Sequence, residues 1–213
     1  MLESVSLNSI VQRANGSIVY RYDPSPDVVY INATNRCTNH CTFCVKQFTP
    51  GLSGYVLHLK KEPATEELWK ELQKEIRPTD KQVVWCGFGE PSIRLDLILD
   101  LTRRIKEKYS FVKVRLDTDG QAQLRYKSRD VAKELKEAGV DTISISMNAE
   151  NKEKYDALCN PSYPDAYDGI LKFAKDCKKY FIVRMSVVGG TDVDVAKCKK
   201  IADEIDCEFV VRG

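Results

Sequence analysis

Three cysteines, Cys37, Cys41 and Cys44, fall within one eight-residue stretch, just past an apolar run that ends in Val29-Tyr30-Ile31. Thiolates are soft metal ligands, and a closed zinc site or an ordinary four-iron cluster takes four protein ligands. A loop that offers three fits a metal centre with one coordination position left open, which is where chemistry takes place. The same residues are compatible with two other outcomes. His40 could complete a three-cysteine-plus-histidine zinc site, although it adjoins Cys41 and neighbouring side chains in an extended loop diverge. A disulfide would need an oxidising compartment. Eight cysteines without a signal-peptide pattern lead us instead to expect a reducing, cytoplasmic setting, where close spacing means metal or redox work.

The elements that must hold this loop read as an alternation of strands and helices. Runs rich in Val, Ile and aromatic residues predict strands near 27–33, 82–87, 112–117, 141–147, 181–188 and 208–212. Apolar residues three and four apart predict helices near 64–76, 94–108, 129–138, 165–179 and 192–205. Six parallel strands, each but the last followed by a helix, favour an open partial (β/α)6 TIM-like barrel over a doubly wound sheet. Ahead of it, residues about 6–12 and 18–22 read as a short N-terminal β-hairpin turning at Asn15-Gly16, whose role would be to cap the sheet. The expected organisation is a hairpin extension over 1–26 and a core over 27–213, one domain overall.

Composition narrows the partners. Lys and Arg total 33 against 31 for Asp and Glu, a formal charge of +2, with no long run of one sign. Charge gives no strong nucleic-acid signal, and no stretch reaches the ~18 apolar residues of a membrane span. The other five cysteines, Cys86, Cys159, Cys177, Cys198 and Cys207, lack ligand spacing, and most sit among apolar neighbours as small core residues do.

In a parallel barrel the active site lies at the C-terminal strand ends. Four segments fall there: the cysteine loop, Gly87-Phe88-Gly89-Glu90-Pro91, Asp117-Thr118-Asp119-Gly120, and Ser144 to Asn148. Gly87 and Gly89 permit a sharp turn and close approach of a ligand, and an exposed Glu90 could accept hydrogen bonds from an ammonium group; a plain strand-to-helix turn is the alternative. Asp117 and its neighbours offer short acceptors, or simply turn chemistry. Ser144, Ser146 and Asn148 alternate with apolar residues, so one face carries all three, and Arg184 shares a face with Ser186 in the same way.

Cys37-x3-Cys41-x2-Cys44 with Phe43 before the last cysteine resembles the signature of radical S-adenosylmethionine (radical SAM) enzymes. Gly87 to Pro91 resembles that superfamily's Gly-Gly-Glu-Pro turn, with Phe88 in place of a glycine, and Cys86 to Asp96 resembles the TatD-associated branch, as do the segments at 117–122 and 144–149. The resemblance spans about residues 27–190. It implies that Cys37, Cys41 and Cys44 bind a [4Fe-4S] cluster whose fourth iron chelates S-adenosyl-L-methionine. Reductive cleavage would then yield a 5′-deoxyadenosyl radical that abstracts hydrogen from a substrate. It further implies that Phe88 to Pro91 hold the amino group, that Phe43 adjoins the adenine and that Ser146 and Asn148 serve the ribose. Asp117 would suit ribose or substrate, and Arg184 the cofactor carboxylate or an acidic substrate. An electron donor such as ferredoxin or flavodoxin would be a partner. The substrate class stays open between a small or nucleotide-like molecule and a partner protein, and a metal-stabilised binding module is the non-catalytic alternative. Asp119 stands where many members carry Asn.

Overall fold

The computed structural model describes residues 16–213. Its centre is a seven-stranded sheet in the order β1-β2-β5-β6-β7-β8-β9. The strands are β1 (Val19–Tyr22), β2 (Ser25–Ile31), β5 (Gln82–Trp85), β6 (Lys113–Thr118), β7 (Thr142–Ser146), β8 (Ile182–Val188) and β9 (Glu208–Arg212). From β2 to β9 every neighbouring pair is parallel, and only β1 runs antiparallel, on the outer edge of β2. Among the described residues the sheet does not close on itself, in agreement with the open partial barrel. A separate two-stranded ribbon, β3 (Gly51–Leu52) and β4 (Tyr55–Val56), follows the cysteine loop.

Each parallel crossover contains a helix. Helix α1 (Thr65–Glu75) precedes β5, α2 (Leu95–Lys108) precedes β6, and α3 (Ala122–Arg125) and α4 (Val131–Ala138) lie between β6 and β7. Helices α5 (Lys152–Cys159) and α6 (Ala166–Lys178) lead to β8, and α7 (Val195–Glu204) leads to β9. The caps follow sequence chemistry. Asp130, Asn151 and Asp194 each accept the backbone N–H three residues on, and Gly139 ends α4 with φ +102°.

Strand alternation sorts the two faces of the sheet. Val83, Trp85, Val114, Leu116, Ile143, Ile145, Val183 and Met185 are buried in the main core together with Leu101, Ile105, Leu135 and Phe173 of the helices. Trp85 satisfies its indole N–H on Thr102 Oγ1 of α2, at 3.0 Å. Full burial of each large aliphatic side chain contributes about 1.5–3 kcal/mol. The opposite face is polar. Register places Asp117, Ser144, Arg184 and Glu208 in one row and Ser146 beside Ser186 in the next.

The expected N-terminal hairpin falls partly outside the described residues. Its expected first strand, 6–12, lies outside the described residues. Val19–Tyr22 pairs with Ser25–Ile31, turning at Asp23-Pro24 so that Tyr22 faces Ser25. Residue 26 therefore lies within β2. The hairpin is anchored by Arg21, whose guanidinium donates to both carboxylate oxygens of Asp80, at 2.8 and 3.0 Å. Asp80 in turn accepts from Arg77 N at 2.7 Å. Tyr20 stacks on Tyr30, centroids 5.2 Å apart, and closes a small apolar cluster with Leu57 and Phe88 over the polar face.

Candidate functional site

Because β2, β5, β6 and β7 are parallel, the loops that follow them emerge at one end of the sheet. The base of the cysteine loop is clamped from two sides. Asn32 donates from Nδ2 to Leu57 O (2.7 Å) and Ser17 O (3.0 Å), while its Oδ1 accepts from Phe88 N. Farther along, Glu62 holds Arg36 at 2.6 and 2.9 Å and also accepts from the Thr34 hydroxyl. Arg94 donates to Ala33 O and Pro63 O at 3.0 and 2.8 Å.

The turn at 87–91 docks onto that base. Glu90 N donates to Arg36 O at 2.8 Å. An added Cβ at Gly87 would overlap Asn32 Oδ1, and one at Gly89 would overlap the carbonyl oxygens of Thr34 and Arg36. Gly87 thus makes room for the Asn32 side chain, and Gly89 for the loop backbone at Thr34 to Arg36. Phe88, expected at the cofactor amino group, is buried against Tyr20 and Leu57, and its N–H is engaged by Asn32. Pro91 starts a buried 3-10 turn over Pro91–Arg94.

Glu90 is the main correction to the sequence reading. It is 3% exposed rather than open to solvent. Its carboxylate accepts from Ser92 N (2.9 Å), Thr118 Oγ1 (2.8 Å) and Asp119 N (2.6 Å). About three of the four acceptor positions of a carboxylate are filled, leaving one for a ligand ammonium. Burial, and after it the charge of Asp119, pushes Glu90 up to about 8. Burial raises Asp119 as well.

Asp119 faces the cysteine loop. It accepts from the Thr38 hydroxyl through Oδ2 and from Gln121 N, at 3.0 Å, through Oδ1. Two carboxyl oxygens accept from a hydroxyl and an amide N–H together, which gives the Asp at this position a structural meaning. Asp117 lies on the polar face, held by Arg115 at 2.7 and 3.1 Å. Ser146 is on the same face and accepts from Arg212 at 3.0 Å, and Arg184 is 3.6 Å from Glu208. Asn148 leaves this row. Strand β7 stops at Ser146, and Asn148 has φ +58°, so the two-residue period no longer applies. It is buried with Nδ2 3.8 Å from Cys159 Sγ, beneath the cysteine loop. Phe43 is half-buried against the main core.

Cys37, Cys41 and Cys44 are all partly exposed free thiols on one loop. Cys37 Sγ accepts from Asn39 N at 3.4 Å, the kind of contact that supports a thiolate. Burial, followed by the charges of Asp119 and Glu90, pushes the Cys37 thiol up to about 12. Cys41 is raised further, first by a hydrogen bond with Cys159 and then by burial. Metal capture by these thiols is coupled to proton release. Among the described residues no three His, Cys, Asp or Glu side chains are grouped closely enough to hold one metal ion. A four-iron cluster asks for a different arrangement, one thiolate per iron, and three accessible thiols on a clamped loop fit it.

Sequence reasoning passed over the inner side of this loop. Helix α5 was absent from the expected elements, yet Tyr155 and Cys159, four residues apart on one helix face, lie directly against it. His40 N donates to Cys159 O and Thr42 N to Leu158 O, both at 2.9 Å, which brackets Cys41 between them. Cys159 is therefore a neighbour of the loop as well as a core residue. Cys177 and Cys198 are buried as expected, and Cys207 is buried as well. On the outer side a cavity of about 450 Å³ is lined by Arg36, Cys37, His40, Lys46, Arg125 and Tyr163, among others. A second groove, about 230 Å³, lies elsewhere beside α6, and its Lys172 and Lys179 are already paired with Asp176. No helix among the described residues is long and apolar enough to cross a membrane.

Comparison with known proteins agrees with this geometry. The family model described as the radical SAM superfamily matches residues 31–205. The chain is 27% identical over 154 residues to cyclic dehypoxanthine futalosine synthase of Halalkalibacterium halodurans, covering 67% of this chain and 40% of that protein. It is 33% identical over 135 residues to GTP 3′,8-cyclase of Aquifex aeolicus, covering 63% and 39%. It is 33% identical over 130 residues to 7,8-dihydro-6-hydroxymethylpterin dimethyltransferase of Methanocaldococcus jannaschii, covering 59% and 23%. The chain thus spans less than half the length of each of these relatives. Among solved structures, Streptococcus suis SuiB bound to S-adenosylmethionine superposes with a TM-score of 0.64 at 18% identity, over 86% of this chain and 39% of that one. HydG, a maturase of the [FeFe]-hydrogenase, gives 0.64 at 17% identity, over 87% and 41%. With the family model covering most of its length and the signature cysteines set in an open parallel barrel, the chain belongs to the radical SAM superfamily, enzymes that use a [4Fe-4S] cluster and S-adenosylmethionine.

Proposed function

We propose that this chain is the core of a radical SAM enzyme that acts on a small, nucleotide-like substrate. The observation that carries the reading is the backbone bond from Glu90 N to Arg36 O, which joins the cofactor turn to the base of the cysteine loop. In this reading Cys37, Cys41 and Cys44 hold the cluster. When bound, the cluster and S-adenosylmethionine supply a one-electron reduction and an abstracting 5′-deoxyadenosyl group. The work of the chain is to position them. The turn at Gly87 to Pro91 presents the remaining acceptor of Glu90 to the cofactor ammonium, and Phe43 borders the adenine. Asp117, Ser146 and Arg184 on the polar face receive ribose, carboxylate or substrate. Asn148 and Asp119 support the loop from beneath.

The substrate class is favoured by the relatives found by sequence, whose names specify a GTP cyclase, a futalosine synthase and a pterin methyltransferase. A peptide substrate is the second reading. It is supported by the fold-level likeness to SuiB bound to its precursor peptide SuiA and by the open side of the sheet. The test is anaerobic reconstitution with iron and sulfide, dithionite reduction, and assay for 5′-deoxyadenosine and methionine from added S-adenosylmethionine. Each candidate substrate class is then screened for a deuterium label transferred into 5′-deoxyadenosine. Production that depends on Cys37, Cys41 and Cys44 is expected. A protein that takes up one zinc and no iron would overturn the proposal.

A further inference from the structure

Asn39, between Cys37 and Cys41, is 4% exposed, and its side chain lies in a closed triangle of hydrogen bonds. Asn39 Nδ2 donates to the Tyr155 hydroxyl oxygen at 2.8 Å. Gln121 Nε2 donates to Asn39 Oδ1 at 2.7 Å and to the same Tyr155 oxygen at 3.0 Å. The three residues come from three places: the cysteine loop, the turn after β6 and the face of α5. Gln121 and Tyr155 are also buried, at 1% and 0% exposure.

Packing alone does not explain this triangle. Gln121 Oε1 is buried with no hydrogen-bond partner, a condition that costs about 1–3 kcal/mol. An apolar side chain at 121 would fill the space without that cost. What the amide provides is a directional hold on Asn39. The neighbouring bonds have the same target: Asp119 accepts from the Thr38 hydroxyl, and Ser162 N donates to Thr38 O at 2.8 Å. The backbone between the first two cysteines is thus held by the turn after β6, by α5 and by Ser162.

We infer that Tyr155 and Gln121 are positioning residues that latch the cysteine loop through Asn39 in the shape that captures the cluster. The inference rests on the cluster reading above. The partners behind a metal ligand set its orientation, and their removal lowers metal retention by about 10–100-fold. Hydrogen bonds and loop geometry around the sulfurs also set the electronic character of an iron–sulfur cluster.

The test compares anaerobically reconstituted wild type, Tyr155→Phe, Gln121→Leu and Tyr167→Phe. Tyr167 is a control: its ring packs on Tyr155 with centroids 5.8 Å apart, but its hydroxyl bonds Ala149 O and not the loop. Two quantities are read, the rate of iron loss to a chelator and the electron paramagnetic resonance spectrum of the reduced cluster. In Tyr155→Phe iron loss is expected to accelerate about tenfold or more, with a shifted spectrum, while Tyr167→Phe matches wild type in both. Iron loss at the wild-type rate with an unshifted spectrum in Tyr155→Phe would overturn the latch and leave the cluster reading intact. So would equal acceleration in Tyr167→Phe at an equal drop in melting temperature, since that traces to stability alone. Tyr155→Phe retains the ring and decides the matter even where Gln121→Leu does not fold. A wild-type protein that takes up no cluster at all would overturn the parent reading, and the latch with it.

Discussion

Glu90 and Asp119 are joined by a backbone bond of 2.6 Å from Asp119 N to Glu90 Oε2, which puts two buried carboxyl groups side by side at the strand ends. Both are raised above their ordinary values, chiefly by burial, Glu90 to about 8. The folded protein therefore binds more protons than the unfolded chain between the ordinary glutamate range and pH 8. Stability of the cluster-free protein is expected to fall as pH rises through that window and to level off above it. Glu90→Gln removes the main titrating group, so its melting temperature should vary less between pH 5 and 8 than that of wild type. Equal slopes in the two proteins would show that Glu90 is ionised throughout.

Asp80 predicts a dependence of the opposite sign. The Arg21 guanidinium and Arg77 N hold its carboxyl below the usual range, against the opposing effect of burial. That contribution is present at neutral pH and is lost as pH falls through the depressed value. Asp80→Asn leaves the Arg21 charge in a largely buried place and should destabilise the fold by about 3 kcal/mol, as measured by urea denaturation at pH 7. Iron content per folded molecule should remain unchanged.

Ala at position 89 should damage the site without touching a thiol. Its Cβ would overlap the carbonyl oxygens of Thr34 and Arg36, which are backbone and cannot rotate away. A cost of about 1–3 kcal/mol is expected, together with displacement of the loop base. Iron analysis after reconstitution of Gly89→Ala should show well under the wild-type content. Wild-type iron would mean that the turn can separate from the loop freely.

Single alanine substitutions at Cys37, Cys41 or Cys44 should each abolish the cluster, because two thiolates hold it poorly. Cys177→Ala should retain full iron and lose roughly 1 kcal/mol of stability, since Cys177 is buried in the apolar core. The visible absorbance of the reconstituted proteins reads the first effect and thermal melting the second.

Backbone architecture was largely legible in the sequence, and side-chain direction at the site was not. The six parallel strands lie near their expected positions because β-branched runs and turn residues mark them locally: Ile182–Val188 is an apolar run interrupted by Arg184 and Ser186. Helix α5 was missed although Asn151 and Asn160 cap it at both ends, because its eight residues carry little apolar periodicity. The β3–β4 ribbon was missed although Ser53-Gly54 supplies the positive φ angles of a tight turn. Glu90 and Asn148 show the harder limit. Whether Glu90 faces solvent depends on Thr118 and Asp119, 28 and 29 residues away. Whether Asn148 continues a strand face depends on one backbone angle. Neither is written in the spacing of the residues around it.

The contact between Asn32 and Gly87 has a consequence for how such a sequence can change over generations. Asn32 spends its three bonds on Ser17, Leu57 and Phe88, and its side chain occupies the space that a Cβ at 87 would need. A side chain at 87 meets both the amide and the Cα of Asn32, a penalty that a smaller residue at 32 relieves in part. The two are in effect a single heritable unit, 55 positions apart in the chain. A library that randomises both together should recover functional pairs that neither single-site library contains, and the accepted residues at 87 should grow only as those at 32 shrink.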